Sequence, residues 1–149
     1  MMDAFDADVI IYAAVPDHPL GRRVIPLFQE ASAASSPAGA GSVLLLPDVL
    51  GKPLRQGDTE QVRILADLLA RLDLRPVDRA TAELAAVLSS KYGLKAAYAT
   101  HLATAVSVGA DRFITNNRRD FTTAITELQV TYPGDLPAMV ACMTALPSK

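Results

Sequence analysis

Residues 92–121 read YGLKAAYATHLATAVSVGADRFITNNRRDF, and they contain the pattern that indicates the fold class. Leu94–Val108 is rich in alanine and Gly109 follows it, which predicts a helix that ends at a left-handed glycine. Asp111–Thr115 (DRFIT) is short and apolar at its centre, which predicts a strand. A helix that leads into a short strand, with polar residues directly after it, is typical of an α/β protein with a mostly parallel sheet.

The rest of the chain continues this alternation of strands and helices. Further strands are predicted at Phe5–Tyr12, Ser42–Leu46, Leu74–Val77 and Gln129–Tyr132, the third at a sheet edge or strand end because it contains a proline. Predicted helices cover Arg22–Ala34, a segment after the capping residue Asp58, and a segment from the capping residue Asp78 to Tyr92. The apolar tail Met139–Leu146 is a candidate closing element or contact surface.

Length and composition limit the class of protein. The chain has 149 residues, 50% of them hydrophobic, which predicts one globular domain and excludes a disordered chain. A formal net charge of −2 excludes nucleic-acid binding through a general positive field, so such binding needs a local basic patch. The N-terminal sequence MMDAFDADVIIY lacks the pattern of a signal peptide, and no apolar run approaches the ~18 residues that span a bilayer. We therefore expect a cytoplasmic protein without a membrane partner, in which the lone Cys142 is a packing residue.

Acids and amides occupy the positions where chemistry is expected. Ligands of open parallel sheets bind at the carboxyl ends of the strands. Carboxylates gathered there would repel one another unless a cation neutralised them, and Mg²⁺ or Mn²⁺ suits hard oxygen ligands. The alternative is that each acid is a solvated cap or turn residue, and composition alone favours that alternative. The residues concerned are Asp6, Asp8, Asp48, Asn116, Asn117 and Asp120.

Three strings of sequence that contain these acids resemble the PIN-domain family, including the VapC-type toxins. They are FDADVIIY from Phe5, LPDVLGKPLRQG from Leu46, and the stretch 92–121, and the resemblance runs in order from about Asp6 to Phe121, a span that is most of the chain. The resemblance implies a single PIN-like domain over residues 1–149, folded as a three-layer α/β sandwich with helices around a short parallel sheet. It also implies a metal-dependent ribonuclease, often homodimeric, in which three or four acids bind Mg²⁺ or Mn²⁺.

The family's acids are only partly present in this sequence. Asp6 matches the first acid, Asp48 stands where a Glu is usual, and Asp120 remains in the Asp-Phe pair. The resemblance therefore implies that these three residues are the catalytic and metal-binding acids. Tyr98 occupies the position of the third acid, and Asn117 a position where many members have Asp. A phenol is neutral at pH 7 and is a poor ligand for Mg²⁺, so weakened metal binding is expected.

Two aromatic residues of the same helix have alternative interpretations. Tyr98 packs with Leu102 and Ala105 at helical spacing, or it marks a copy of the family that has lost catalysis. His101 has the chemistry of a metal ligand or general base. A single histidine on a mostly apolar helix face is more often a structural hydrogen-bonding residue, and we interpret His101 in that way.

RNA and an antitoxin protein are the partners implied by the resemblance, with a homodimer as the expected assembly. Phosphate binding is predicted for the polar segment after the DRFIT strand, where hydroxyl and amide groups can orient a phosphate or water and arginines can contact it. No aromatic residue interleaves with these arginines, so the sequence does not indicate a base-stacking platform. The predicted substrate-binding residues are Thr115, Asn116, Asn117, Arg118 and Arg119, and Arg112, Arg22 and Arg23 are further basic candidates.

Three other functions are alternatives to a PIN ribonuclease toxin. The string DADVI also matches the Asp-x-Asp opening of haloacid dehalogenase phosphatases, but after Thr115 the only lysine is Lys149 and no Asp-Asp pair follows, which excludes that class. A catalytically degenerate PIN domain that binds protein or RNA is the remaining alternative, with Tyr98 and Asn117 in its favour. A purely structural domain would explain neither the ordered acids nor the helix that contains His101.

Overall fold

A parallel five-stranded sheet forms the centre of the protein in a computed structural model, which describes residues 1–137. The strands follow the spatial order β3-β2-β1-β4-β5, and each neighbouring pair is parallel. The predicted α/β class is confirmed, and the sheet is parallel throughout the described part of the chain. Its strands are β1 (Asp3–Phe5), β2 (Ala40–Ser42), β3 (Asp73–Arg75), β4 (Arg112–Ile114) and β5 (Gln129–Thr131).

Within residues 1–137, six α-helices cover the two faces of the sheet and make three layers. Phe5 and Ile114 pack with α1 to α4 on one face, whereas their chain neighbours Ala4 and Phe113 pack with α5 and α6 on the other. Successive strand residues point to opposite faces, so each short strand contributes to both cores. The helices are α1 (Ala7–Ala13), α2 (Gly21–Ala33), α3 (Leu45–Gln56), α4 (Thr59–Leu69), α5 (Arg79–Tyr92) and α6 (Ala96–Ser107), and a short 3₁₀ turn covers Pro133–Asp135.

Local sequence signals correctly identified several helix ends. The side chains of Asp58 and Asp78 accept hydrogen bonds from the backbone N–H groups of Gln61 and Thr81, and so cap α4 and α5. Gly93 ends α5 with φ of 67°, a conformation that favours glycine. The strand predicted at Leu74–Val77 is confirmed as an edge strand, and those predicted at Asp111–Thr115 and Gln129–Tyr132 are also present.

Two predicted strands were wrong. Phe5–Tyr12 is the end of β1 followed by α1, and Ser42–Leu46 is the end of β2 followed by the start of α3. Both segments contain short runs of apolar residues, and periodicity alone does not separate a helix from a strand over so few residues. The tail Met139–Leu146 and Cys142 lie outside the described residues.

Candidate active site

The carboxyl ends of β1 and β4 place the first acid. These strands are paired neighbours with Phe5 opposite Ile114, so Asp6 and Thr115 leave the sheet side by side. Asp6 is only 4% exposed, and its Oδ2 accepts a 2.7 Å hydrogen bond from the Thr115 hydroxyl. Its Oδ1 accepts from the backbone N–H of Ala7 at 2.8 Å, at the start of α1. Burial nevertheless raises the pKa of Asp6 above its ordinary value, and the charge of Asp48 adds to this effect.

Asp8 lies in the first turn of α1, beside Asp6. Its Oδ2 accepts a 3.1 Å hydrogen bond from the backbone N–H of Asn116, which follows β4. Its Oδ1 is buried and has no hydrogen-bond partner among the described residues. Burial, followed by the negative charge of Asp6, raises the pKa of Asp8 to about 7. A buried carboxyl group with one unsatisfied oxygen is ready to accept a proton, a water or a cation.

Asp48 reaches the same region from α3 and is held by a residue of α6. Its Oδ2 lies 2.8 Å from Nε2 of His101, whose side chain is 1% exposed. The Asp48 side chain is 42% exposed and can therefore also meet solvent or a ligand. The interpretation of His101 as a hydrogen-bonding residue is confirmed. Its other ring nitrogen, Nδ1, is buried without a partner within residues 1–137.

Asp120 and Asn117 form a small hydrogen-bonded turn after β4. The Asn117 side-chain amide donates to Asp120 Oδ2 at 2.9 Å, and its carbonyl oxygen accepts from the Asp120 backbone N–H at 3.2 Å. Asn117 is neutral, so it adds no negative charge to the site and instead orients the carboxylate of Asp120.

A single open cleft of about 490 Å³ brings the predicted acids together. Tyr98 contributes to its wall and also packs edge-on against Phe121, with ring centroids 5.7 Å apart. The exposed Arg119 lies at the same cleft. The lining residues are Asp6, Ala7, Asp8, Ile11, Tyr12, Asp48, Tyr98, Asn116, Asn117, Arg119 and Asp120.

The donor set of the cleft fits a hydrated divalent ion better than a closed metal cage. Within the described residues, no three His, Cys, Asp or Glu side chains are arranged so that they could hold one ion together. The available donors are carboxylate and amide oxygens, which suit Mg²⁺ and Mn²⁺. Mg²⁺ is commonly bound through one or two carboxylates and keeps several waters. Asp6 and Asp48, whose charges influence each other, meet that requirement.

Several predicted substrate-binding residues and basic candidates make contacts within the protein. Thr115 is fully buried and supports Asp6, so it lies beneath the cleft rather than at its surface. The guanidinium of Arg118 lies over the ring of Tyr132 at 4.1 Å from its centroid. Arg112 makes a bidentate ion pair with Asp3, whose oxygens lie 2.7 and 2.9 Å from its nitrogens.

The two arginines at the start of α2 also have local partners. Arg22 pairs with the exposed Asp17 at 2.7 Å. Arg23 donates to the backbone carbonyls of Gly134 and Leu136, at 3.2 and 2.6 Å. Of the arginines proposed from the sequence, Arg119 is therefore the one that lines the acid cleft.

Tyr12 is a cleft residue that sequence reasoning missed. It follows Asp8 by four residues, and positions i and i+4 share one face of a helix. The sequence did not indicate this proximity, because residues 5–12 were predicted to form a strand. In a strand, Tyr12 would lie about 13 Å from Asp8 along the chain. The correct helix makes the two residues neighbours at the cleft.

A parallel sheet between two helical layers, with carboxylates at the carboxyl edge of its central strands, defines a PIN-like α/β protein. The chain belongs to the PIN domain family, whose model matches residues 4–124. PIN domains are generally nucleases. Within the described residues, no helix is long and apolar enough to cross a membrane.

Solved structures with similar folds include proteins of toxin–antitoxin systems. A toxin–antitoxin complex from Klebsiella pneumoniae contains a chain with 26% identity and a TM-score of 0.63, and the match covers 89% of this chain and 98% of that one. VapBC2 from Rickettsia felis, bound to a promoter DNA fragment, has 18% identity and a TM-score of 0.67, with 89% and 98% covered. FitAB bound to an IR36 DNA fragment has 17% identity and a TM-score of 0.67, with 93% and 99% covered. The last two support the fold alone, and no curated protein matches the sequence.

Proposed function

We propose that this protein is a metal-dependent ribonuclease of the PIN class. The observation that carries the proposal is that Asp6, Asp48 and Asp120, from three separate parts of the chain, line one cleft. Asp8 adds a fourth carboxyl group there. Burial raises the pKa values of Asp6 and Asp8, as expected for carboxyl groups that are removed from water. Mg²⁺ or Mn²⁺ would neutralise the negative charge of these groups.

The residues of the cleft have distinct roles in this proposal. When bound, a divalent ion lowers the pKa of a coordinated water and neutralises charge that develops on phosphoryl oxygens. Asp6 and Asp48 would hold the ion, and Asp120 is a further acid of the same cleft. Thr115 and His101 fix the orientation of these carboxylates by hydrogen bonds of 2.7 and 2.8 Å.

The phosphate of the RNA is bound by neighbouring groups that add no negative charge. The exposed guanidinium of Arg119 attracts the phosphate. Asn116 and Asn117 offer amide groups that orient the phosphate or a water by hydrogen bonds. Because Arg119 is exposed whereas Asp6 is buried and hydrogen-bonded, a phosphodiester can approach the open cleft while the Asp6 carboxylate stays fixed.

The test of this function is cleavage of a single-stranded RNA by the purified protein. Cleavage in Mn²⁺ or Mg²⁺, with none in EDTA, is the expected result. Cleavage that is equally fast in EDTA would exclude the metal-dependent mechanism. An RNase inhibitor directed at metal-independent nucleases is the appropriate control for contamination.

We further propose that the protein is the toxin of a toxin–antitoxin pair, acting as a homodimer in the cytoplasm. The support is the 26% identity to a chain of the Klebsiella pneumoniae toxin–antitoxin complex over 89% of this chain. We expect a short adjacent reading frame that encodes a DNA-binding protein. We also expect that protein to co-purify with this chain. If cells tolerate expression of this protein alone as well as expression of its Asp6→Asn variant, the toxin proposal is wrong.

A non-catalytic RNA- or protein-binding PIN domain is the second candidate. It is favoured by Tyr98 in the position of an acid and by the lack, within residues 1–137, of three acids that could hold one ion. This alternative predicts RNA or protein binding that is unchanged by EDTA, without cleavage. Measurements of binding and cleavage on the same sample separate the two functions.

A further inference from the structure

The acid cleft contains an aromatic residue whose presence the metal chemistry does not explain. Tyr12 lines the cleft together with Asp6, Asp8 and Asp48. It comes from the last turns of α1, one helical turn beyond Asp8. Its half-buried ring therefore offers an apolar surface beside the carboxylates.

The Tyr12 ring is stacked on a histidine. Its plane makes an angle of 9° with the imidazole plane of His18, and the ring centroids are 4.5 Å apart. The imidazole is itself fixed, because its Nδ1 accepts hydrogen bonds from the backbone N–H groups of Leu20 at 3.1 Å and Gly21 at 3.3 Å. These bonds hold the plane of His18, and the stack in turn holds the plane of Tyr12.

The backbone around this stack is tightly packed. A Cβ atom at Gly21 would lie 2.2 Å from the carbonyl oxygen of Tyr12, so only glycine permits α2 to begin so close to the end of α1. The segment between the two helices carries His18 and is anchored at both ends by this contact. The Tyr12 ring is therefore oriented before a ligand arrives, which lowers the entropy cost of stacking against it.

We propose that Tyr12, backed by His18, is a stacking platform for a nucleobase of single-stranded RNA next to the phosphate at the acids. This inference rests on the proposed ribonuclease function and defines part of its substrate site. Aromatic rings bind bases with little sequence preference because every base has a π face. A cleft of about 490 Å³ lies within the range of small-ligand sites, and Arg119 provides a cation for the phosphate in the same cleft.

The platform implies a preference for unpaired RNA. Bases inside a duplex are already stacked and do not present their faces to a protein ring, whereas bases of loops and single strands can be splayed out. We therefore expect the protein to bind a single-stranded RNA more tightly than the same sequence in a duplex.

Binding can be measured without cleavage. The probe is a short single-stranded RNA that carries 2-aminopurine, whose fluorescence is quenched by stacking, titrated with the protein in EDTA. Tyr12→Leu keeps an apolar side chain but removes the flat ring, and we expect at least about fivefold weaker binding with reduced quenching. Tyr12→Phe keeps the ring and should bind like the wild type.

Two further variants separate stacking from folding. His18→Asn keeps a side-chain acceptor for the first N–H groups of α2 but removes the ring behind Tyr12. We expect its RNA affinity to lie between those of Tyr12→Phe and Tyr12→Leu. Tyr92→Leu is the matched control, because Tyr92 does not line the acid cleft and its hydroxyl bonds to Glu127. This control should bind RNA like the wild type. Circular dichroism establishes that each variant is folded.

The outcomes distinguish the platform from the nuclease. Equal binding and quenching by the wild type and folded Tyr12→Leu would overturn the platform, whether or not the wild type cleaves RNA in Mn²⁺. Tyr12-dependent quenching in a protein that cleaves no RNA would support the platform and overturn the nuclease proposal. A wild-type protein that binds no oligonucleotide overturns the platform directly.

Discussion

Nε2 of His101 lies 2.8 Å from Oδ2 of Asp48, although 53 residues separate them along the chain. The histidine is buried in the centre of α6, whereas Asp48 sits near the start of α3 with 42% of its side chain exposed. The contact joins the buried imidazole of His101 to the exposed carboxylate of Asp48. His101 therefore acts as a positioning residue that holds one carboxylate oxygen and leaves the other available to the cleft.

The first prediction concerns this positioning contact. His101→Leu removes the hydrogen bond to Asp48, and we expect nuclease activity to fall about tenfold or more because the carboxylate is no longer held. Stability should change by no more than about 1 kcal/mol, since the lost hydrogen bond is offset by apolar burial. His101→Gln, which can still donate a hydrogen bond, should restore part of the activity. Cleavage rates and thermal unfolding measure the two effects, and full activity in His101→Leu would disprove the role.

The second prediction concerns stability against pH in the absence of divalent ions. The pKa of Asp8 is about 7 in the folded protein, against an ordinary value of 3.8. The folded state therefore holds this proton more tightly than the unfolded state, so stability falls as pH rises from about 4 to about 7. Asp8→Asn removes this dependence and should be more stable than the wild type at pH 8, by up to about 4 kcal/mol.

Thermal unfolding in EDTA between pH 5 and pH 8 measures this difference. Asp17→Asn, at an exposed position, is the control and should follow the wild type. A wild-type unfolding temperature that rises relative to Asp8→Asn between pH 5 and pH 8 would contradict the assignment.

The third prediction concerns Tyr98, which by the resemblance to the PIN family stands where an acid is usual. Tyr98→Asp places a carboxylate at the cleft, and we expect higher affinity for Mn²⁺ and faster RNA cleavage. The substitution also removes the edge-on contact with Phe121, which should lower stability by about 0.5–1.5 kcal/mol. Tyr98→Phe keeps that contact without adding charge and serves as the matched control. Calorimetric titration with Mn²⁺ is the measurement, and absence of binding in both the wild type and Tyr98→Asp would favour the binding-module function.

Parts of the site were predictable from local sequence and sheet geometry. Asp6 and Thr115 each follow a strand, and parallel strands end at one edge of a sheet, so their proximity follows from the fold class. Helix caps such as Asp58 and Asp78 depend on only a few residues and were also predicted correctly.

Other contacts depend on how distant helices pack. Nothing at residue 48 indicates residue 101, because their contact arises only when α3 and α6 both meet the sheet edge. Tyr12 was missed for a different reason, since a short and mostly apolar segment such as α1 fits a buried helix as well as a strand. The ion pair of Arg112 with Asp3, like the position of Arg118 over Tyr132, shows that basic residues near acids in sequence can serve the fold instead.

The most direct test of the central proposal compares RNA cleavage by the wild type and by Asp6→Asn, purified in parallel. Asp6 is the most deeply buried acid of the cleft, and an Asn side chain there can still accept the hydrogen bond from Ala7 through Oδ1 and donate one from its amide nitrogen to the Thr115 hydroxyl. The metal-dependent mechanism predicts Mn²⁺-dependent cleavage of single-stranded RNA by the wild type and by the surface control Asp17→Asn. For Asp6→Asn it predicts a cleavage rate that is lower by at least about a hundredfold. Equal cleavage by the wild type and Asp6→Asn would contradict it.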